Sequence, residues 1–267
     1  MAKLKPVSHE DRLTIVEHLD ELRSRLIVCA LALAAAFALC FWQDELILDI
    51  ASDPLRGTAC GGPDEPACQP TTLSPTEPFL TTVTLSLYGA ILLTLPIILY
   101  QLYAFVLPAF SPTERRVAMP LLLLVPFLFI GGVLFCYYIV VPPALDFLLS
   151  FNAEEFNTEV RARDYYGFVA LSLLALGLLF QIPVGILAAT RLGITTPQKL
   201  RKNRRYAVLV IAILAALLPT IDPVTLIIEM IPLIALYELS ILLAVAFGRP
   251  PGEVADKVAS AEGSAHS

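Results

Sequence analysis

The chain predicts an all-α, polytopic membrane protein with six transmembrane helices, on three observations. Hydrophobic residues fill 57% of its 267 positions, and the mean hydropathy is +0.75. Several apolar runs reach the ~20 residues that carry a helix across a hydrocarbon layer. Lysine and arginine are sorted to one side of those runs. With no water to satisfy the backbone inside a bilayer, such runs must be helical. The net charge of -6 hides that sorting and gives no argument for a nucleic-acid partner.

Before the first span, Thr14 to Leu26 reads as an amphipathic helix. Ile15, Leu19, Leu22 and Leu26 form one apolar stripe, and His18, Glu21 and Arg25 share another face. Thr14 and Glu17 fit a capping box, and Glu21 can pair with Arg25 one turn on. The first span runs from Leu26 to Trp42, an interfacial aromatic. The small residues Ala34 to Ala36 and Ala38 would suit a cleavable leader, but acids precede the run and more spans follow, so it stays as an anchor. Gln43 to Pro78 is a polar, proline-rich loop with a short amphipathic piece at Glu45 to Ile50.

The second span, Phe79 to Leu107, carries Pro96 near its middle and should kink or break there. A turn at Ser111 to Arg116 leads to a third span, Val117 to Val141, which contains Gly131-Gly132 and is ended by Pro142-Pro143. Phe147 to Asp164 forms a second loop. The fourth span, Tyr165 to Thr190, holds Gly177, Gly185 and a polar Gln181 just before a kink at Pro183. Arg191 to Arg205 is the most basic stretch, with Thr196 as N-cap and Pro197 at the first helical position. The fifth run, Tyr206 to Leu218, is too short for a full crossing, and the sixth follows Pro219 to Pro223 and reaches Phe247. Residues 1–247 thus form one membrane domain, and 248–267 a disordered tail with nothing to bury.

A cytoplasmic amino terminus leaves only Arg56, Arg161 and Arg163 outside, so both termini are expected in the cytoplasm and the span number is even. Of the five cysteines, Cys29, Cys40 and Cys136 fall within spans and pack as small hydrophobes. Cys60 and Cys68 fall in the outer loop, where a disulfide is expected, two free thiols being the alternative. A transporter or channel would also be polytopic and kinked, but no internal repeat is visible. An intramembrane enzyme is disfavoured because His9, His18 and His266 all lie outside the spans.

His18-Leu19-Asp20-Glu21-Leu22-Arg23-Ser24-Arg25-Leu26 resembles the amino-terminal signature of the TatC family, the polytopic subunit of the twin-arginine protein translocase. Ser52-Asp53-Pro54-Leu55 and Ser74 to Phe79 resemble its first outer loop. Leu95 to Gln101, Ala104 to Ala109, Glu114-Arg115-Arg116, Gly193 to Pro197, Leu200-Arg201-Lys202, Asp222-Pro223, Ile231-Pro232 and Glu238 extend the similarity over nearly the whole chain.

The resemblance implies a glove-shaped, concave six-helix receptor of the cytoplasmic membrane, with short fifth and sixth helices, no enzymatic activity and no cofactor or metal. It implies recognition of twin-arginine signal peptides of folded cargo, small single-span TatA/TatB-type partners, surrounding lipid, self-association in the receptor complex and use of the proton-motive force. Glu21 and Glu114 match the carboxylates that take the arginine pair, with His18, Arg23 and Phe105 nearby. A carboxylate pair suits that recognition because the planar guanidinium fork meets a carboxylate at two points, whereas lysine is a point charge. One departure stands out: the fourth span has Gln181 where many members have glutamate, and the sixth carries Glu229. Gln181, Glu229 and Asp222 are therefore expected to form intramembrane polar positions that bind a partner's helix, the alternative for Glu229 being that it snorkels to the outer interface.

Overall fold

The computed structural model describes residues 15–57, 70–106, 112–152, 155, 159–191, 193–219 and 222–247. Cys60, Cys68 and the tail 248–267 lie outside the described residues, and at His18 and Glu114 only the backbone is described. Apart from one isolated bridge between Thr71 and Arg161, the regular structure among the described residues is helical.

Helix α1, Ile15–Trp42, joins the amphipathic run and the first span in one rod, because no glycine or proline interrupts its 28 residues. The chain breaks at Gln43, and α2, Asp44–Arg56, crosses the far end of the molecule; it is longer than the Glu45 to Ile50 piece expected. Pro54 inside α2 has no N–H to give the Ile50 carbonyl. The Tyr137 hydroxyl supplies that donor at 2.7 Å, Tyr165 donates to the Ala51 carbonyl at 2.7 Å, and Ser52 and Tyr166 share a hydrogen bond of 2.9 Å. Three tyrosines thus fasten α2 where its own ladder is weakest.

Helix α3, Glu77–Val106, runs through Pro96 without a break. Its first residue is buried and ties two interhelical segments together: Glu77 accepts from Arg161 Nε at 2.7 Å and from the Leu73 N–H at 2.9 Å. The bond to Glu77 holds the Arg161 guanidinium above the usual arginine range.

Helix α4, Pro112–Phe135, passes into a π-helical turn, Cys136–Val140, and then into α5, Val141–Ser150. The expectation that Pro142-Pro143 ends the third span is therefore corrected. The prolines occupy the opening positions of α5, where their missing N–H groups cost least, and the ladder widens ahead of them, with the Val141 N–H reaching back to Cys136 O.

Helices α6, Ala162–Leu179, and α7, Ile182–Arg191, make the fourth crossing, and the break between them falls at Phe180 and Gln181, as the Pro183 kink led us to expect. After Gly193, whose φ of 75° only glycine adopts freely, comes α8, Pro197–Lys202, capped by Thr196. Helix α9, Arg204–Ala216, has 13 residues. At about 1.5 Å per residue it covers about 20 Å, short of a full crossing. Helix α10, Pro223–Phe247, has 25 residues. The sixth helix is thus not short, a correction to the expectation drawn from the resemblance. Five segments among the described residues are long and apolar enough to cross a membrane, and α9 makes a sixth, incomplete one.

Lipid-compatible surface and packed interior separate cleanly. Leu31, Phe127 and Ile231 are about two-thirds exposed, while Phe129, Leu176 and Leu233 are buried. Exposure of the first group carries no penalty against acyl chains, so packing rather than water exclusion orders the helices. Gly132 of α4 and Gly177 of α6 face each other at a close crossing, where a Cβ on Gly132 would lie 3.0 Å from the Gly177 Cα.

Candidate functional site

The amino-terminal turns of α1 lie antiparallel to the last turns of α3, and this end of the molecule holds the residues matched above to the arginine pair. Glu21 is half-buried and accepts twice from Arg25 on Oε1, from Nη2 at 2.6 Å and Nε at 3.1 Å. Arg25 Nη1 donates to Gln101 Oε1 at 2.8 Å, and its Nη2 reaches the Ala104 carbonyl at 3.5 Å. An i,i+4 pair adds only about 0.5 kcal/mol on an open helix surface, so its value here is orientation across two helices. Phe105 follows Ala104 directly and is half-buried, whereas Arg23 is exposed. Glu114 lies in the first turn of α4, eight residues beyond the end of α3, so the chain returns it to the same end as Glu21.

Gln181 and Glu229 are both buried, in segments that share one apolar cluster: Phe180 and Ile182 flank the first, Leu226 and Met230 the second. Gln181 Nε2 donates to the Val125 carbonyl at 3.2 Å, while its Oε1 has no partner. Glu229 belongs to α10, which packs against the π-helical turn. Asp222 acts locally, its carboxylate accepting from the Thr225 N–H at 2.8 Å and from the Thr225 hydroxyl, and so caps α10.

A cavity of about 790 Å³ opens between α2, α3, the π-helical turn and α6, lined by Ile47, Tyr88, Leu92, Tyr137 and Leu173, with Asp49 and Asp53 at its rim. Sequence reasoning missed the tyrosine fastening of this roof and the Glu77 to Arg161 lock. Pro54 within an amphipathic run was the available signal for the first. Among the described residues no group of three His, Cys, Asp or Glu is placed to hold a metal ion.

These features define a polytopic helical membrane protein with a carboxylate-bearing rim at one end and a roofed apolar cavity at the other. A family model described as Sec-independent protein translocase protein (TatC) matches residues 17–232. The TatC of Koribacter versatilis (strain Ellin345) is 32% identical over 234 residues, 87% of this chain and 85% of the relative. That of Aquifex aeolicus (strain VF5) is 33% identical over 242 residues, 90% of this chain and 98% of the relative. A crystal structure of the twin arginine translocase receptor TatC in DDM superposes with a TM-score of 0.72 at 33% identity, over 88% of this chain and all of the other. The chain belongs to the TatC family.

Proposed function

We propose that the protein is the signal-peptide receptor and core subunit of a twin-arginine translocase, which moves folded cargo across the cytoplasmic membrane on the proton-motive force. It is a transport component and not an enzyme. The observation that carries the reading is that Glu21, at the rim formed by α1 and α3, already holds a guanidinium in hydrogen-bonding geometry. Glu114 supplies the second carboxylate, and His18, Arg23 and Phe105 complete the surroundings of the arginine pair. A charge-assisted contact is worth roughly 1.5 to 3 kcal/mol, so losing one weakens binding by about tenfold to a hundredfold. Glu21→Gln and Glu114→Gln therefore insert normally but lose affinity for an Arg-Arg signal peptide and no longer prefer it to Lys-Lys. Pull-down with the two peptides checks this, and parent-like binding by both variants would remove the assignment.

The partners in this reading are small single-span TatA/TatB-type subunits and further copies of the chain, with Gln181 and Glu229 offered to a partner's membrane helix. Both termini and the segment Arg191 to Arg205 face the cytoplasm, supported by the lysine and arginine asymmetry. In a variant stripped of its own five cysteines, an impermeant thiol reagent added to intact cells reacts with Asn157→Cys and not with Lys199→Cys. The reverse pattern would invert the topology. On the outer side Cys60 and Cys68 form a local disulfide; peptide mapping without reductant recovers them linked, and recovery of both as free thiols would refute it.

A further inference from the structure

Arg25 holds Glu21 by one oxygen. Both of its donated bonds, from Nε at 3.1 Å and Nη2 at 2.6 Å, end on Oε1, and no bond described reaches Oε2. The rest of the guanidinium is fixed to α3, through Nη1 to Gln101 Oε1 at 2.8 Å and Nη2 to the Ala104 carbonyl at 3.5 Å. We propose that Arg25 is a positioning residue of the arginine clamp: it pins Glu21 Oε1 against α3 and leaves Oε2 aimed at one guanidinium of the incoming pair. The proposal rests on the reading of Glu21 as a carboxylate that takes a signal-peptide arginine.

A glutamate side chain turns about three bonds, and ordering it costs free energy that a ligand must otherwise supply. Arg25 meets that cost before the ligand arrives. A lysine at position 25 keeps the charge but has no fork with which to grip Glu21 and Gln101 together. The competing geometry makes Arg25 a stand-in that leaves when the peptide binds. Its bond from Nη1 to Gln101 uses an atom that does not touch Glu21, so departure would break that bond as well, and that picture predicts the opposite sign on mutation.

The test uses the full-length protein in membrane vesicles and four labelled signal peptides, Arg-Arg, Lys-Arg, Arg-Lys and Lys-Lys. Arg25→Lys is expected to bind Arg-Arg about tenfold more weakly. The loss should concentrate on one arginine, the same one whose replacement by lysine becomes harmless in Glu21→Gln. Gln101→Leu should act in the same direction by about threefold, and add nothing in an Arg25→Lys background. Equal weakening toward all four peptides would reduce Arg25 to a structural role and overturn the proposal. Tighter binding by Arg25→Lys would make it a competitor and overturn it too. If Glu21→Gln loses its discrimination while Arg25→Lys and Gln101→Leu behave like the parent, the clamp stands and the positioning role falls. If Glu21→Gln itself behaves like the parent, the clamp reading fails and the proposal with it.

Discussion

Gly132→Ala unfolds at a lower temperature than the parent, whereas the same change one residue earlier, Gly131→Ala, does not. The two glycines are neighbours in α4 and differ in what they face. A Cβ at Gly131 meets nothing within 4 Å, while one at Gly132 would sit 2.7 Å and 2.9 Å from the Phe180 side chain and 3.0 Å from the Gly177 backbone. From the other side, a Cβ at Gly177 would sit 2.8 Å from Phe129 and 2.9 Å from Val133. Phe129 is buried and the Gly177 backbone cannot swing aside, so α4 and α6 must part. Overpacking of this kind costs about 1 to 3 kcal/mol for a methyl group, and Gly132→Val and Gly177→Val exceed that range. In a bilayer the loss is not offset elsewhere, since close packing is what associates these helices. Thermal unfolding of the detergent-purified variants reads the effect. A Gly132→Ala protein as stable as Gly131→Ala would show that the crossing is not as close as described.

That contrast also marks the limit of what the sequence could say. Gly131-Gly132 and Gly177 were visible as small residues within spans, but which glycine of the pair meets Gly177 is set by the rotation of α4 against α6, a tertiary property. The break at Gln181 and the cap at Thr196 were legible because each is a local consequence of proline or hydroxyl chemistry. The same local rule misled at Pro142-Pro143: proline stops a helix when its missing donor is needed, and here a π-helical turn absorbs the defect before a new helix opens. Glu21 and Arg25 were legible as an i,i+4 pair, but Gln101, 76 residues away from Arg25, could be joined to it only by folding. The Glu77 to Arg161 lock, with partners 84 residues apart, was hidden for the same reason.

Glu229→Leu leaves the protein folded and abolishes export, and Gln181→Leu abolishes export as well, while the exchange Gln181→Glu with Glu229→Gln restores it. Glu229 is 1% exposed, on a helix long and apolar enough to cross a membrane. An ionisable residue near a bilayer centre costs about 3 kcal/mol on insertion scales, so one kept inside a span points to function rather than to folding. Glu229→Leu is therefore read by its export, with thermal unfolding measured alongside to show that the variant is folded. Loss of export in a folded Glu229→Leu variant is the result that a group retained for a partner predicts. Gln181 differs: Gln181→Leu forfeits the bond to the Val125 carbonyl, worth about 1 kcal/mol, so a small loss of stability accompanies its loss of export. What unites the two is place, because Phe180 and Ile182 pack into the same apolar cluster as Leu226 and Met230. A polar group on a partner's helix entering there finds an amide oxygen with no other claim on it, at Gln181, and an acid on the adjoining helix. The exchange preserves one acid and one amide while swapping their helices, so it keeps the chemistry and tests only whether the pair acts as a unit. Export and crosslinking to the small subunit are the measurements. Normal export in both leucine variants would end the shared-site reading, and failure of the exchange alongside loss in both leucine variants would assign the two residues separate roles.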